Sequence, residues 1–238
     1  MKKYFIIIVL ILTIICCFGG CKMKGFDSKK EAEKFIIKEM EKKYKENFEI
    51  KEVKEYKEEK IGIKWILAEM TSEKSKERKA IVYARNTGEI EDNYHINFFR
   101  DDIEKLVEPL CEGRTEIKEY TIEIAGHPST DVWNENDSLE KYLDKEQYKV
   151  NIVAEICKGP TDDEYAKYIY KWLSDLYASK LNIQLTVNEE GGVMIFSENL
   201  KDSTLSDFTQ EVLVEKIYNW RGTSETIKNY EKWKEENQ

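Results

Sequence analysis

Apolar residues along this chain recur at two spacings, three-to-four and two, and the alternation between them predicts an interleaving of helices and strands. From Ser28 onward, Ala32, Phe35, Ile36, Met40 and Tyr44 follow the helical spacing, and Asp27-Ser28 stands where an N-cap is needed. This predicts an amphipathic helix over 28–46. Strand periodicity follows at Phe48 and Ile50, then at Ile61, Ile63, Trp65 and Leu67, then in the run Ala80, Ile81, Val82, Tyr83 and Ala84. The polar stretch 71–76 and Thr87-Gly88 supply turns, so an antiparallel meander is expected. Ile103, Leu106, Val107 and Leu110 return to helical spacing, weakened by Pro109 and stopped by Gly113.

The second half repeats the alternation. Tyr120, Ile122 and Ile124 predict a strand, and 126–131 a loop. Ser138 heads a short helix through Leu139, Tyr142 and Leu143, and Val150 to Ile156 predict a central strand. Asp162 or Asp163 opens a helix whose stripe is Tyr165, Tyr168, Ile169, Trp172, Leu173, Leu176 and Tyr177. Ile183 to Val187 and Val193 to Phe196 form a hairpin through Glu189-Glu190-Gly191-Gly192, and helices near 207–221 and 223–236 end the chain. Positions 35, 36, 40, 44, 48 and 50 are echoed, 133 residues on, by apolar residues at 168, 169, 173, 177, 181 and 183, each set a helix leading into a hairpin. The expected fold class is α+β, antiparallel sheets packed by amphipathic helices in two lobes, 28–112 and 113–238.

The first twenty-one residues follow a different rule. Lys2 and Lys3 precede an apolar run from Tyr4 to Phe18, broken only by Thr13, which ends in Gly19-Gly20-Cys21. A charged start, an apolar middle and a small-residue end make an export leader. The run is shorter than the roughly twenty residues needed to span a bilayer. Phe18-Gly19-Gly20-Cys21 resembles the lipobox of bacterial lipoproteins, which usually carries Leu where this chain has Phe18. The resemblance covers only the leader. It implies cleavage after residue 20, a diacylglycerol on the Cys21 thiol, and a mature protein tethered through 21–27 to the outer side of the cytoplasmic membrane. Two acyl chains on one residue are the minimum for lasting attachment, since one binds only marginally. With the Lys-, Glu- and Ile-rich composition, the leader points to a low-GC Gram-positive cell.

Composition narrows the role of the rest. The 238 residues carry 38 Lys and Arg against 47 Asp and Glu, a formal charge of −9, which becomes −11 once Lys2 and Lys3 leave with the leader. Basic residues alternate with acidic ones, as in Glu55 to Lys60, so no continuous phosphate-binding face is expected, and no nucleic-acid partner. The two histidines, His95 and His127, belong to no nucleophile, metal or phosphate-loop motif. His127, Ser129 and Asp131 sit at alternate positions of a Pro-bearing loop and are not expected to converge as a triad. The oxygen-rich stretch 131–137 lacks the glycine and terminal glutamate of a calcium loop. No catalytic residue, metal or cofactor is therefore expected. Trp133, in a polar loop, and Trp220, near the end, are the candidate partner contacts. Cys111 and Cys157 fit either one disulfide or two small buried hydrophobes. The expected function is non-enzymatic binding of an envelope partner by a lipid-anchored protein; the alternative is a ligand-binding lipoprotein serving a transporter.

Overall fold

The computed structural model describes residues 26–58, 63–74 and 79–236, and the leader, Cys21 and the strand position Ile61 lie outside them. The described chain divides between Asp92 and Asn93 into two compact units.

In the first unit, helix α1 (Lys29–Tyr44) starts at Ser28, whose Oγ accepts a hydrogen bond from the Glu31 amide at 3.3 Å. Its inward stripe is Ala32, Ile36, Met40 and Tyr44, all buried. Phe26 is also buried and tilts against Phe35 at 6.1 Å, so the fold begins inside the stretch expected to be tether. Lys45 ends the helix in the left-handed region, with φ 57°. The strands β1 (Phe48–Glu58), β2 (Ile63–Ser72), β3 (Lys79–Arg85) and β4 (Ile90–Asp92) form an antiparallel sheet in the order β1-β2-β3-β4. Ile66, Ala68, Met70, Ala80, Val82 and Ala84 are among its buried positions, and burying an aliphatic side chain of that kind contributes about 1.5–3 kcal/mol for the larger members. The run 80–84, continuous in sequence, is thus split by the pleat: Ile81 and Tyr83 face away from the core. Asp92 is fully buried and its carboxylate accepts hydrogen bonds from Lys43 Nζ (2.7 Å) and Tyr44 Oη (2.6 Å), which ties β4 to the end of α1.

The second unit is built from α2 (Ile96–Cys111), β5 (Ile117–Gly126), α3 (Leu139–Asp144), β6 (Tyr148–Ile156), α4 (Asp162–Ser179), β7 (Ile183–Glu189), β8 (Val193–Asn199), two short 3-10 turns (Leu200–Asp202 and Leu205–Asp207) and α5 (Gln210–Glu236). Its sheet order is β5-β6-β7-β8, antiparallel except for the parallel pair β6 and β7, joined by α4. Parallel neighbours cannot be connected by a tight turn, so the crossover takes a helix. Thr161 and Glu164 cap α4 reciprocally: the Thr161 amide donates to Glu164 Oε2 at 2.8 Å and the Glu164 amide to Thr161 Oγ1 at 3.4 Å. Lys180, like Lys45, closes its helix at φ 57°. The turn from β7 to β8 runs through Gly191 and Gly192 at positive φ, as Glu189-Glu190-Gly191-Gly192 predicts.

Two expectations are corrected. The lobe boundary, expected near residues 112 to 116, falls earlier: α2 belongs to the second unit, because its buried face of Ile96, Phe99, Ile103, Val107 and Cys111 joins the core formed with β5 to β8. The break expected near residue 222 is absent, and α5 runs unbroken from Gln210 to Glu236 through Gly222; a single glycine costs a helix only about 1 kcal/mol.

A close backbone approach in the second unit occurs at Gly126, where an added Cβ would lie 2.9 Å from Ile96 Cβ and 3.1 Å from the Asn93 carbonyl. Gly126→Ala is expected to lower stability by about 1–3 kcal/mol, read as a reduced urea midpoint at unchanged slope.

Candidate functional site

The concave features described here lie in the second unit. The larger is a groove of about 440 Å³ between α4 and the start of α5, lined by Lys167, Tyr170, Leu205, Ser206, Phe208, Thr209 and Gln210. Lys167 and Tyr170 are exposed on α4; helical spacing sets Lys167 away from the buried residues Ala166, Ile169 and Leu173, and Tyr170 at the margin of that face. The facing wall is a turn held by Asp207, whose Oδ2 accepts from the Thr204 amide (2.7 Å) and the Thr204 hydroxyl (2.9 Å); these bonds hold the Asp207 carboxyl below its usual range. Phe208 forms the floor, buried against Phe196 and Tyr177 at 6.1 and 6.2 Å. At the rim, Gln210 Nε2 donates to Asp163 Oδ1 at 3.5 Å, and Tyr170 is 43% exposed. An exposed phenol, an ammonium and an amide over an apolar floor can make contacts and hydrogen bonds.

A second, smaller groove of about 220 Å³ is lined by Thr115, Glu116, Ile156, Cys157, Pro160, Tyr165 and Tyr168. Tyr165 is fixed beside it: its hydroxyl donates to the Cys157 carbonyl (3.0 Å) and Glu189 Oε1 (2.9 Å), and burial first, then that carboxylate, raise its pKa. Arg221 of α5 lies over the Tyr165 ring and pairs with Asp162 at 2.5 Å, which fastens α5 across the start of α4.

The residues singled out from sequence are placed differently from one another. Cys21 lies outside the described residues. Trp133, expected as an exposed contact, is instead buried at 3% exposure. Its ring meets Phe99 and Tyr142 edge-on at 5.7 and 5.1 Å, and its indole N–H donates to Gln147 Oε1 at 2.8 Å. Gln147 also donates to Asp131 Oδ2 (2.6 Å), so the polar loop folds back and uses its tryptophan as a plug. Trp220 is half-buried on α5, while Tyr218, two residues earlier, is 72% exposed. The aromatics of α4 divide: Tyr165 and Trp172 are buried, Tyr165 also reaching the smaller groove, while Tyr168 and Tyr170 are exposed at the groove rims.

The other polar candidates are occupied locally. His95 is buried, with Nδ1 2.8 Å from Tyr142 Oη and Nε2 2.9 Å from the His127 carbonyl. Ser129 Oγ accepts a hydrogen bond from the Asp131 amide at 3.0 Å, which closes a turn. Asp137 accepts from the amide and side chain of Asn134 at 2.8 and 2.7 Å. Among the described residues no group of three or more His, Cys, Asp or Glu is placed to hold a metal, and no helix is long and apolar enough to cross a membrane.

No family model matches this chain, and no curated protein matches it. Among solved structures, a DUF5037 family protein from Ruminococcus gnavus ATCC 29149 is 16% identical over 65% of this chain and 73% of that one, with a TM-score of 0.36. A likeness that loose carries neither fold nor function across.

Cys111 and Cys157 are both free; Cys111 is buried at the end of α2 and Cys157 is exposed, which answers the disulfide alternative for this structure. Burial pushes the Cys111 thiol up to about 11. In the native protein Cys157 is expected to alkylate readily near neutral pH, and Cys111 only on unfolding, read by peptide mapping of the modified chain. Because the folded state holds the Cys111 proton more tightly, its share of stability is full below the ordinary thiol pKa and is lost as pH rises toward 11.

Proposed function

We propose that this chain is a non-enzymatic lipoprotein, held by acyl chains on Cys21 at the outer face of the cytoplasmic membrane of a Gram-positive cell, and that it acts by binding another envelope component. The observation that carries this reading is the leader: Lys2-Lys3, the apolar stretch 4–18 and Gly19-Gly20-Cys21 directly before an acidic folded region. Only four residues separate Cys21 from the buried Phe26, so even a fully extended tether reaches less than roughly 18 Å. The first unit would then work close against the headgroups.

Binding rather than catalysis is supported by how the polar chemistry is spent. His95 is occupied by two fixed partners, and neither groove is lined by a histidine. The Lys167 and Tyr170 groove is the contact surface we assign to the partner. Its volume, about 440 Å³, also falls in the range of small-molecule sites, and this favours as second reading a ligand-binding lipoprotein that serves a transporter.

Cys21→Ala is expected to leave the precursor uncleaved and unlipidated, with loss of the lipid mass increment by intact mass spectrometry. Processing to the same lipidated mass in the variant would sink the anchor assignment. For the binding surface, Tyr170→Ala combined with Lys167→Glu should abolish cross-linking of the partner in intact cells while leaving the thermal midpoint unchanged within a few degrees, since both residues are exposed. Undiminished cross-linking would move the contact elsewhere.

A further inference from the structure

Helix α1 sorts charges that alternate along the sequence. Lys30, Lys34, Lys38 and Lys42 recur every fourth residue, so each stands only about 40° round the helix from the last, and all four are exposed. The row lies opposite the buried stripe of Ala32, Ile36, Met40 and Tyr44. Two carboxylates share its sector: Glu31, whose Oε2 accepts from the Asp27 amide at 2.9 Å, and the half-buried Glu41. Among the described residues Lys30, Lys34 and Lys38 have no carboxylate in ion-pairing range, and Lys42, 3.5 Å from Glu39, keeps its side chain 67% exposed. Like charges at this spacing destabilise a helix, so the stability of α1 does not account for the row.

We propose that the row is a membrane-facing surface, which lays α1 against anionic phospholipid headgroups; this rests on the Cys21 anchor proposed above. The occupant follows from where the tether ends. Residues 22–25 alone join Cys21 to Phe26, and Phe26 is buried and packed on Phe35 of α1, so an acylated Cys21 holds the start of the helix within roughly 18 Å of the lipid. From Lys30 to Lys42 the row runs about 18 Å further, at 1.5 Å per residue. Sign and range favour lipid as well. At physiological salt a charge is felt over about 8 Å, so the net negative charge of the whole chain is screened at the headgroups, while four lysines held beside them are not. Each lysine near an anionic surface raises occupancy there roughly fivefold. The acyl chains supply attachment and the row supplies orientation.

The test uses the processed chain purified from membranes, with its acyl mass read first by intact mass spectrometry. It is then reconstituted in vesicles of phosphatidylcholine alone or of equimolar phosphatidylcholine and phosphatidylglycerol. Lysines are labelled briefly with a membrane-impermeant acetylating reagent and located by peptide mapping. Lys30, Lys34, Lys38 and Lys42 should label at least about threefold more slowly on the anionic vesicles, while the exposed Lys171 of α4 is unchanged. Molar KCl, in which the screening length is about 3 Å, should remove the protection. Lys34→Glu combined with Lys38→Glu should remove it at Lys30 and Lys42, and Lys34→Arg with Lys38→Arg should keep it, both with acyl mass and thermal midpoint retained. A purified chain without acyl mass would end the anchor reading and this proposal with it. A lipidated chain whose row labels equally on both kinds of vesicle would overturn the proposal and leave the anchor in place. Protection in intact cells but not on the vesicles would assign the row to a protein or wall polymer, which overturns it too.

Discussion

The second unit depends on its parallel strand pair. Because β6 and β7 run the same way, the chain must return the full length of the sheet between Ile156 and Ile183, and α4 is that return. Everything distinctive about the unit follows from where this helix lies. Its inner face, with Tyr165, Ala166, Ile169, Trp172, Leu173 and Leu176, closes the core over β6, and its outer face contributes one wall of the main groove. The capping pair Thr161 and Glu164 sets where the helix starts, and hence how far along the sheet Lys167 and Tyr170 stand.

Polar groups inside the protein are few and each is tied to a particular junction. Asp92 brings the last strand of the first sheet to Lys43 and Tyr44, a buried carboxylate held by one cation and one hydroxyl. A charge there without those partners would be strongly unfavourable, so the contact fixes geometry more than it adds stability. His95, Tyr142, Gln147 and Trp133 do the same for the loop between β5 and α3, and the stacked rings of Phe99 and Tyr142, 4.1 Å apart, fill the space around them.

Helix and strand identities were legible wherever a stripe was long: α1 and α4 follow from spacing alone, and the α+β class with them. What spacing does not carry is the destination of an apolar face. The stripe of α2 is plain in Ile103 and Val107, yet nothing local tells whether it meets the sheet before it or the one after, and the boundary was misplaced for that reason. Nor does alternation distinguish the parallel neighbour of β6 from an antiparallel one. Trp133 misled because its sequence neighbours are polar and its structural neighbours, Phe99 and Tyr142, are distant in sequence. The groove was invisible for the same reason, since its walls come from the middle of α4 and from residues just before α5.

Both helices that feed directly into a hairpin, α1 and α4, end on a lysine in the left-handed conformation, a place where glycine is the usual occupant. Each such residue holds a backbone posture that costs an L-amino acid roughly 1 kcal/mol, so the two corners are wound slightly against their own preference. The molecule therefore keeps slack at both corners that substitution by the smaller residue would take up, and its resistance to unfolding is set below what its topology permits.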